Sequence, residues 1–210
     1  MKLLYSVAAL ALLSACGTQS PHNTKISSTK LAEIAAMSGD PAAAESIYAT
    51  AANENPRDAQ AQLDYANTLV QRNQINEARR VLASRISSVR DPGLLHGPLG
   101  SIYVLTGEAQ QAVTEFDAAL SSDSNNVRWV TNKAIALDLL KQHAPAQDLY
   151  RKALTMAPGD PIILSNYGLS LAMSGQKDEA NKVIAPLVGQ SDLLPRVKNT
   201  LEAVRSGKIG

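Results

Sequence analysis

One fixed step organises this chain. Ala44, Ala78, Ala112, Ala146 and Ala180 follow one another at a constant interval of thirty-four positions, without slippage. A second column, Ala32, Ala66, Gly100, Ala134 and Gly168, keeps the same step and lies twelve positions earlier. A third column, Tyr48, Leu82, Phe116, Tyr150 and Ile184, is bulky throughout. Three columns in register at this period specify an array of helix pairs. A generic alanine-rich bundle needs no fixed repeat length. Arrays of this kind bind other proteins more often than they catalyse.

With repeat starts at Lys25, Ala59, Gly93, Val127 and Pro161, each unit reads as two helices with a turn near its fifteenth residue. The turn residues are Gly39, Asn73, Gly107, Lys141 and Gly175. Gly and Asn tolerate the left-handed backbone that closes a helix, and Lys141 suits it less well. Pro41 and Pro145 fall at or near the start of a second helix, where a missing amide donor costs little. Pro56 and Pro158 stand just past the end of one. Asp91-Pro92 and Asp160-Pro161 read as a cap followed by a first turn. Pro186 falls within the expected second helix of the fifth unit and should kink it or end it early.

The pattern over 25–194 resembles the tetratricopeptide repeat. That resemblance implies an all-α fold: a right-handed superhelix of about five helix pairs plus a C-terminal capping helix over 195–210. The eighth and twentieth positions would face each other across a pair, small enough for close crossing. The bulky twenty-fourth position would fill the space towards the next unit, with Ala51, Ala119 and Ala153 completing the contact. The usual large aromatic at the fourth position is missing (Ser28, Gln62, His96, Val130 and Leu164). Arg85 and Leu187 replace a small residue, so the second and fifth repeats are expected to be looser. Lys133 replaces an apolar residue; its stem is expected to pack while its head reaches water. In 195–206, Arg196, Lys198, Glu202 and Arg205 give the last helix the charged surface that covers an exposed solenoid end.

The N-terminus reads as an address. Lys2 precedes an apolar run over 3–13, then Ser14, Ala15 and Cys16, the only cysteine. A positive start, a short apolar stretch and small residues before a cleavage point describe a secretory signal. The run is too short to span a bilayer, which needs about 20 residues. Leu13-Ser14-Ala15-Cys16 resembles the lipobox of bacterial lipoproteins. The resemblance implies a signal peptide over 1–15, removed before Cys16, and lipid on the Cys16 sulfur and new amino group. Each buried methylene of such a lipid contributes about 0.8 kcal/mol to anchoring. Gly17 rather than Asp after the cysteine implies the outer membrane, periplasmic face. Residues 17–24 are polar and read as a flexible tether.

Charge and motif content exclude several functions. The net charge is +1, and a balanced chain of this kind lacks the basic surface that nucleic acid requires. His22, His96 and His143 lie far apart in sequence, without acid or cysteine at ligand spacing, and read as surface or satisfied residues. Asp117, Asp123, Glu45, Glu77 and Glu115 read as solvated or capping groups. No catalytic constellation, cofactor motif, metal site or small-molecule site is apparent, and the chain is not expected to be an enzyme.

What remains is a surface. In tetratricopeptide arrays the first helices line the concave face. The expected partner-binding groove comprises Asn67, Gln71, Arg128, Asn132, Ser165, Asn166 and Leu169, among apolar residues such as Leu63, Leu94, Leu105, Ile135 and Ile162. Amides there can grip a peptide backbone by hydrogen bonds. Some tetratricopeptide proteins hold a C-terminal carboxylate in a clamp of Lys and Asn. Asn67 and Arg128 match two of its positions, but Leu63, Pro98 and Asn132 replace others, so an apolar or helical ligand is expected instead.

The layout of lipobox, tether, five repeats and terminal helix resembles the TadD-like lipoproteins of the tight-adherence (Flp) pilus system. The segments that carry it are NYGLSLAMSGQKDEA, VIAPLV and the closing PRVKNTLEAV. It implies a pilotin-like protein that helps a pilus secretin reach or form its ring. A pilotin of a type IV pilus or type II secretion system, or a scaffold for outer-membrane barrel assembly or cell-wall enzymes, fits the same layout. Cys16→Ser is expected to release the protein from the membrane fraction while the array stays folded. Loss of helical circular dichroism in the purified variant would refute that division of roles.

Overall fold

The computed structural model describes residues 28–37 and 40–207. The signal-like segment 1–15, Cys16, the tether 17–24 with His22, the repeat start Lys25, and the turn residue Gly39 lie outside the described residues, as do the side chains of Ser28 and Ala32.

The helices run α1 (Ser28–Met37), α2 (Pro41–Glu54), α3 (Ala59–Gln71), α4 (Ile75–Arg85), α5 (Gly93–Leu105), α6 (Ala109–Ser122), α7 (Val127–Leu139), α8 (His143–Met156), α9 (Pro161–Met173), α10 (Lys177–Ile184) and α11 (Pro195–Ser206). The described chain is an all-α superhelix of successive helix pairs, as the period required. Four first helices open on the expected residues Ala59, Gly93, Val127 and Pro161. The turns close through left-handed residues: Asn73 (φ 60°), Gly107 (φ 79°), Lys141 (φ 63°) and Gly175 (φ 83°). Lys141 therefore adopts the same conformation as the glycines, a non-glycine strain the array tolerates at an exposed turn.

Side-chain caps close the start of four helices. The Asp58 and Asp160 carboxylates each accept two backbone N–H bonds at the start of α3 and α9, and Asp40 and Asn126 each accept one. The Asp91-Pro92 pair departs from expectation: Pro92 is the capping residue of α5 and no side chain caps that helix. Pro186 ended its helix as anticipated. α10 stops after eight residues and the chain continues as a 3-10 turn, Ala185–Leu187. Leu187 in that turn is 1% exposed, so the large residue is absorbed into the core rather than loosening the repeat.

Small residues let each pair of helices cross closely, and the bulky column reaches the next unit as expected: the Phe116 ring lies 6.2 Å from that of Trp129, and the Tyr150 ring lies 6.0 Å from that of Tyr167. A Cβ on Gly100 would lie 2.9 Å from the Phe116 ring, and one on Gly168 would overlap Ile184 Cγ2. The bulky twenty-fourth position thus packs over the eighth position of its own repeat. Leu82, Phe116, Tyr150 and Ile184 are all essentially buried. Burying a side chain of this size stabilises by about 1.5–3 kcal/mol.

Polar contacts join successive repeats. Glu45 bonds Gln74, Arg79 bonds Glu108, and Gln147 bonds Gln176, each pair 29 residues apart. These are the twenty-first position of one repeat and the sixteenth of the next. Val113 takes the first of these places at the remaining interface, facing Gln142 in the register. A deeper contact joins the fourth and fifth repeats. Asp138 on α7 accepts from Ser170 Oγ at 2.7 Å and Tyr150 Oη at 3.1 Å, and lies 2.8 Å from His143 Nδ1. Burial first, then the Asp138 charge and hydrogen bond, push the Tyr150 phenol far above its usual range, so it stays a donor.

The core follows the array as clusters rather than one mass. One cluster gathers around Leu69, Leu82, Leu95 and Leu99, another around Phe116, and a third extends from Val130 to Val204. α11 joins the third cluster through Val197, Leu201 and Val204, while Arg196, Lys198, Glu202 and Arg205 face outwards. Gly207 ends it in the left-handed conformation.

Two substitutions test this packing by urea titration. Gly168→Val should destabilise the protein by about 1–3 kcal/mol, because the new side chain meets Ile184 in a filled space. Asp138→Ala should cost roughly 2–4 kcal/mol by stranding the buried Tyr150 and Ser170 hydroxyls. Asp138→Asn, which keeps an acceptor oxygen, should cost less.

Candidate functional site

The first helices α3, α5, α7 and α9 place their second, fifth, sixth and ninth positions on the concave face. Two depressions form there. One, of about 500 Å³, lies among α3, α5 and α7 and is lined by Leu63, Asn67, Val70, Leu94, Pro98, Ser101, Leu105 and Trp129. The other, of about 690 Å³, lies among α7, α9 and α11 and is lined by Thr131, Asn132, Ile135, Ile162, Ser165, Asn166, Arg196 and Thr200. Arg128 borders both, so the two are continuous along one face.

The expected groove residues divide accordingly. Asn67 is exposed in the first depression; Asn132, Ser165 and Asn166 border the second; Arg128 stands between. Gln71 is exposed but borders neither depression, because it closes α3 beyond them. Leu169 is half-buried and packs against the core instead. Ser165 lines the wall but is 2% exposed, and its hydroxyl donates to the Ile162 carbonyl, so it offers little to a ligand. Asn132 Nδ2 donates to Ser101 Oγ at 3.1 Å, tying α7 to α5 across the groove floor.

Several features were not anticipated. Pro98 lies inside α5 without ending it. It cannot donate to the Leu94 carbonyl, so that carbonyl lacks its helical partner at the groove edge. Gly97 lies under Trp129, where a Cβ would overlap the indole. The Arg128 guanidinium lies 5.1 Å from the Trp129 ring centroid, a cation–π contact that orients it. α11 contributes Arg196 and Thr200 to the groove, rather than only covering the end. The signal for this was present: Pro195 follows Pro161 by one full repeat step, so α11 occupies the first-helix place of a sixth unit.

Titratable groups elsewhere are engaged with one another. His96 Nδ1 lies 2.7 Å from Glu115, Arg72 pairs with Glu45 at 2.9 Å, and Arg80 pairs with Glu77. Lys133 contacts Asp117, so its head finds a carboxylate rather than water alone. Among the described residues no group of three or more His, Cys, Asp or Glu is placed to hold a metal. No described helix is long and apolar enough to cross a membrane.

Comparisons with known proteins agree with this geometry. Family models described as tetratricopeptide repeat match residues 35–97 and 99–161. The uncharacterized protein y4yS of Sinorhizobium fredii (strain NBRC 101917 / NGR234) is 35% identical over 69 residues, which span 33% of this chain and 38% of that protein. The match therefore covers well under half of that relative's length. The crystal structure of MamA superposes with a TM-score of 0.66 at 18% identity, covering 84% of this chain and 97% of that one. A tetratricopeptide repeat protein from Parabacteroides merdae ATCC 43184 gives a TM-score of 0.73 at 15% identity, covering 86% of this chain and 71% of that one. A thermophilic repeat protein of Thermus thermophilus gives 0.64 at 18% identity, covering 87% and 98%. At these identities the likeness to solved structures concerns the fold. With repeat models matching residues 35–97 and 99–161, more than half of the chain, and the same superhelix in known repeat proteins, this chain is a tetratricopeptide-repeat protein.

Proposed function

We propose that this protein is a lipid-anchored assembly factor of the bacterial outer membrane, acting like a pilotin on the secretin of a tight-adherence pilus. The observation that carries the binding role is the continuous concave groove over α3, α5, α7, α9 and α11, with amides and apolar residues side by side. A tetratricopeptide array is an interaction scaffold. The anchor rests on the lipobox-like LSAC at 13–16, and the pilus assignment on the resemblance of the layout, over most of the chain after Cys16, to TadD-like lipoproteins.

The mechanism is holding rather than turnover. Lipid on Cys16 keeps the array at the periplasmic leaflet, and the groove retains a segment of the partner. Confinement to the same surface raises the effective concentration of a partner in that membrane, so a modest groove affinity suffices.

A mild-detergent pull-down with the lipidated protein as bait, read by mass spectrometry, tests this. A secretin or another Flp-pilus component should be recovered, and lost when Asn132 and Asn166 are both changed to Ala. Recovery of a barrel-assembly or cell-wall complex instead would retain the scaffold and discard the pilus assignment.

A further inference from the structure

The depression among α7, α9 and α11 is the more basic of the two: it is bordered by two arginines and one aspartate, where the other has Arg128 with Asp91 and Asp123. Arg128 and Arg196 both border it, and both are exposed. They occupy the second position of their helices, α7 and α11, two repeat steps apart. Among the described residues neither guanidinium pairs with a carboxylate. Arg128 is instead oriented by the face of Trp129. One carboxylate, Asp160, lines the same depression, but it already accepts the N–H groups of Ile162 and Ile163 at the start of α9. Its charge is thus offset by the helix terminus it caps. The start of α11 has no side-chain cap, and its first turn, with Arg196 and Val197, faces the depression. The positive end of that helix adds to the two arginines.

Between the arginines the floor is apolar. Ile135 and Ile162 are half-buried there, packed on the core with one side to the depression, and Val197 is buried beneath. The Asn166 amide, also half-buried, makes no hydrogen bond with another described residue. A ligand suited to this surface has an apolar face against the isoleucines and carboxylates towards both ends.

We propose that this depression binds an acidic amphipathic segment of a partner protein, and that α11 is part of the binding site rather than only the end cover of the array. Arg128 and Arg196 each take a carboxylate, for which the planar guanidinium offers paired donors. Asn166 takes backbone groups of the segment, and Ile135 and Ile162 take its apolar side chains. The proposal rests on the groove being where a partner binds, and it adds the chemistry of that partner.

Panning a random-peptide phage library on the full-length protein in detergent micelles tests it. Peptides enriched over empty micelles should carry more Asp and Glu than the input library. By fluorescence anisotropy, such a peptide should bind at least about tenfold more weakly to Arg196→Glu and to Arg128→Glu. Arg196→Gln and Arg128→Gln should give smaller losses. The same library panned on the doubly reversed protein should enrich Lys and Arg. Both side chains are exposed and, among the described residues, paired with no carboxylate, so helix content should hold and the thermal midpoint should shift little in these variants. Neutral or basic enriched peptides, or affinities unchanged by charge reversal, would overturn the acidic assignment. If those peptides still lost binding on Asn132→Ala or Asn166→Ala, groove binding itself would survive. Absence of any enrichment over empty micelles would count against both readings.

Discussion

The structure depends on the close crossing of two helices within each repeat. Phe116 fills the space over Gly100, and Ile184 fills that over Gly168. In these two repeats the distance between the helices is set by what the eighth position lacks, because a Cβ there would occupy the space its partner fills; in the second and fourth, Ala66 and Ala134 keep that position small. Once that distance is fixed, the following helix has one place to pack, and the same relation repeats. Superhelical curvature then follows from a small rotation per unit. The concave face is a consequence of that rotation, so the groove depends also on residues such as Gly100, Phe116, Gly168 and Ile184 that do not line it.

Polar contacts keep the units in register. The Glu45–Gln74, Arg79–Glu108 and Gln147–Gln176 pairs lie near the surface, and each contributes little alone, about 0–1 kcal/mol for an exposed ion pair. Asp138 is different in kind. It is buried and gathers Tyr150, His143 and Ser170, so its hydrogen bonds are costly to lose. By tying α7 to α9 it holds the walls of the second depression at a set spacing. The polar groups that matter most to the site thus lie behind it.

The legibility of the sequence was uneven for physical reasons. Repeat boundaries at Ala59, Gly93, Val127 and Pro161 were readable because packing imposes a period that single residues report. Pro186 was readable because it acts on local backbone. The bulky column was readable as filling the space towards the next unit, where Phe116 meets Trp129; its second contact, over Gly100 of its own repeat, was not, since a period shows that residues belong to an interface but not which of them meet. Lys141 showed little local preference for its left-handed turn; the helices on either side impose it. Asp91-Pro92 looked like a cap, but the chain there places Pro92, not Asp91, at the helix start. Of the groove residues read from the sequence, Asn67, Arg128, Asn132, Ser165 and Asn166 border the two depressions, while Gln71 and Leu169 do not, because periodicity gives a residue's helix face but not the depth of the surface there.

The sequence by itself determined the architecture: a constant repeat step, small residues opposite large ones, and turns that only certain backbones can make. These are local or periodic constraints, and each repeat carries its own copy. Only the tertiary structure decided which side chains share a surface. Arg128 and Arg196 are distant in sequence and become neighbours of one depression because two repeat steps stack between them. The same stacking turned the terminal helix from a cover into a wall of the groove, because α11 continues the row of first helices that forms the concave face.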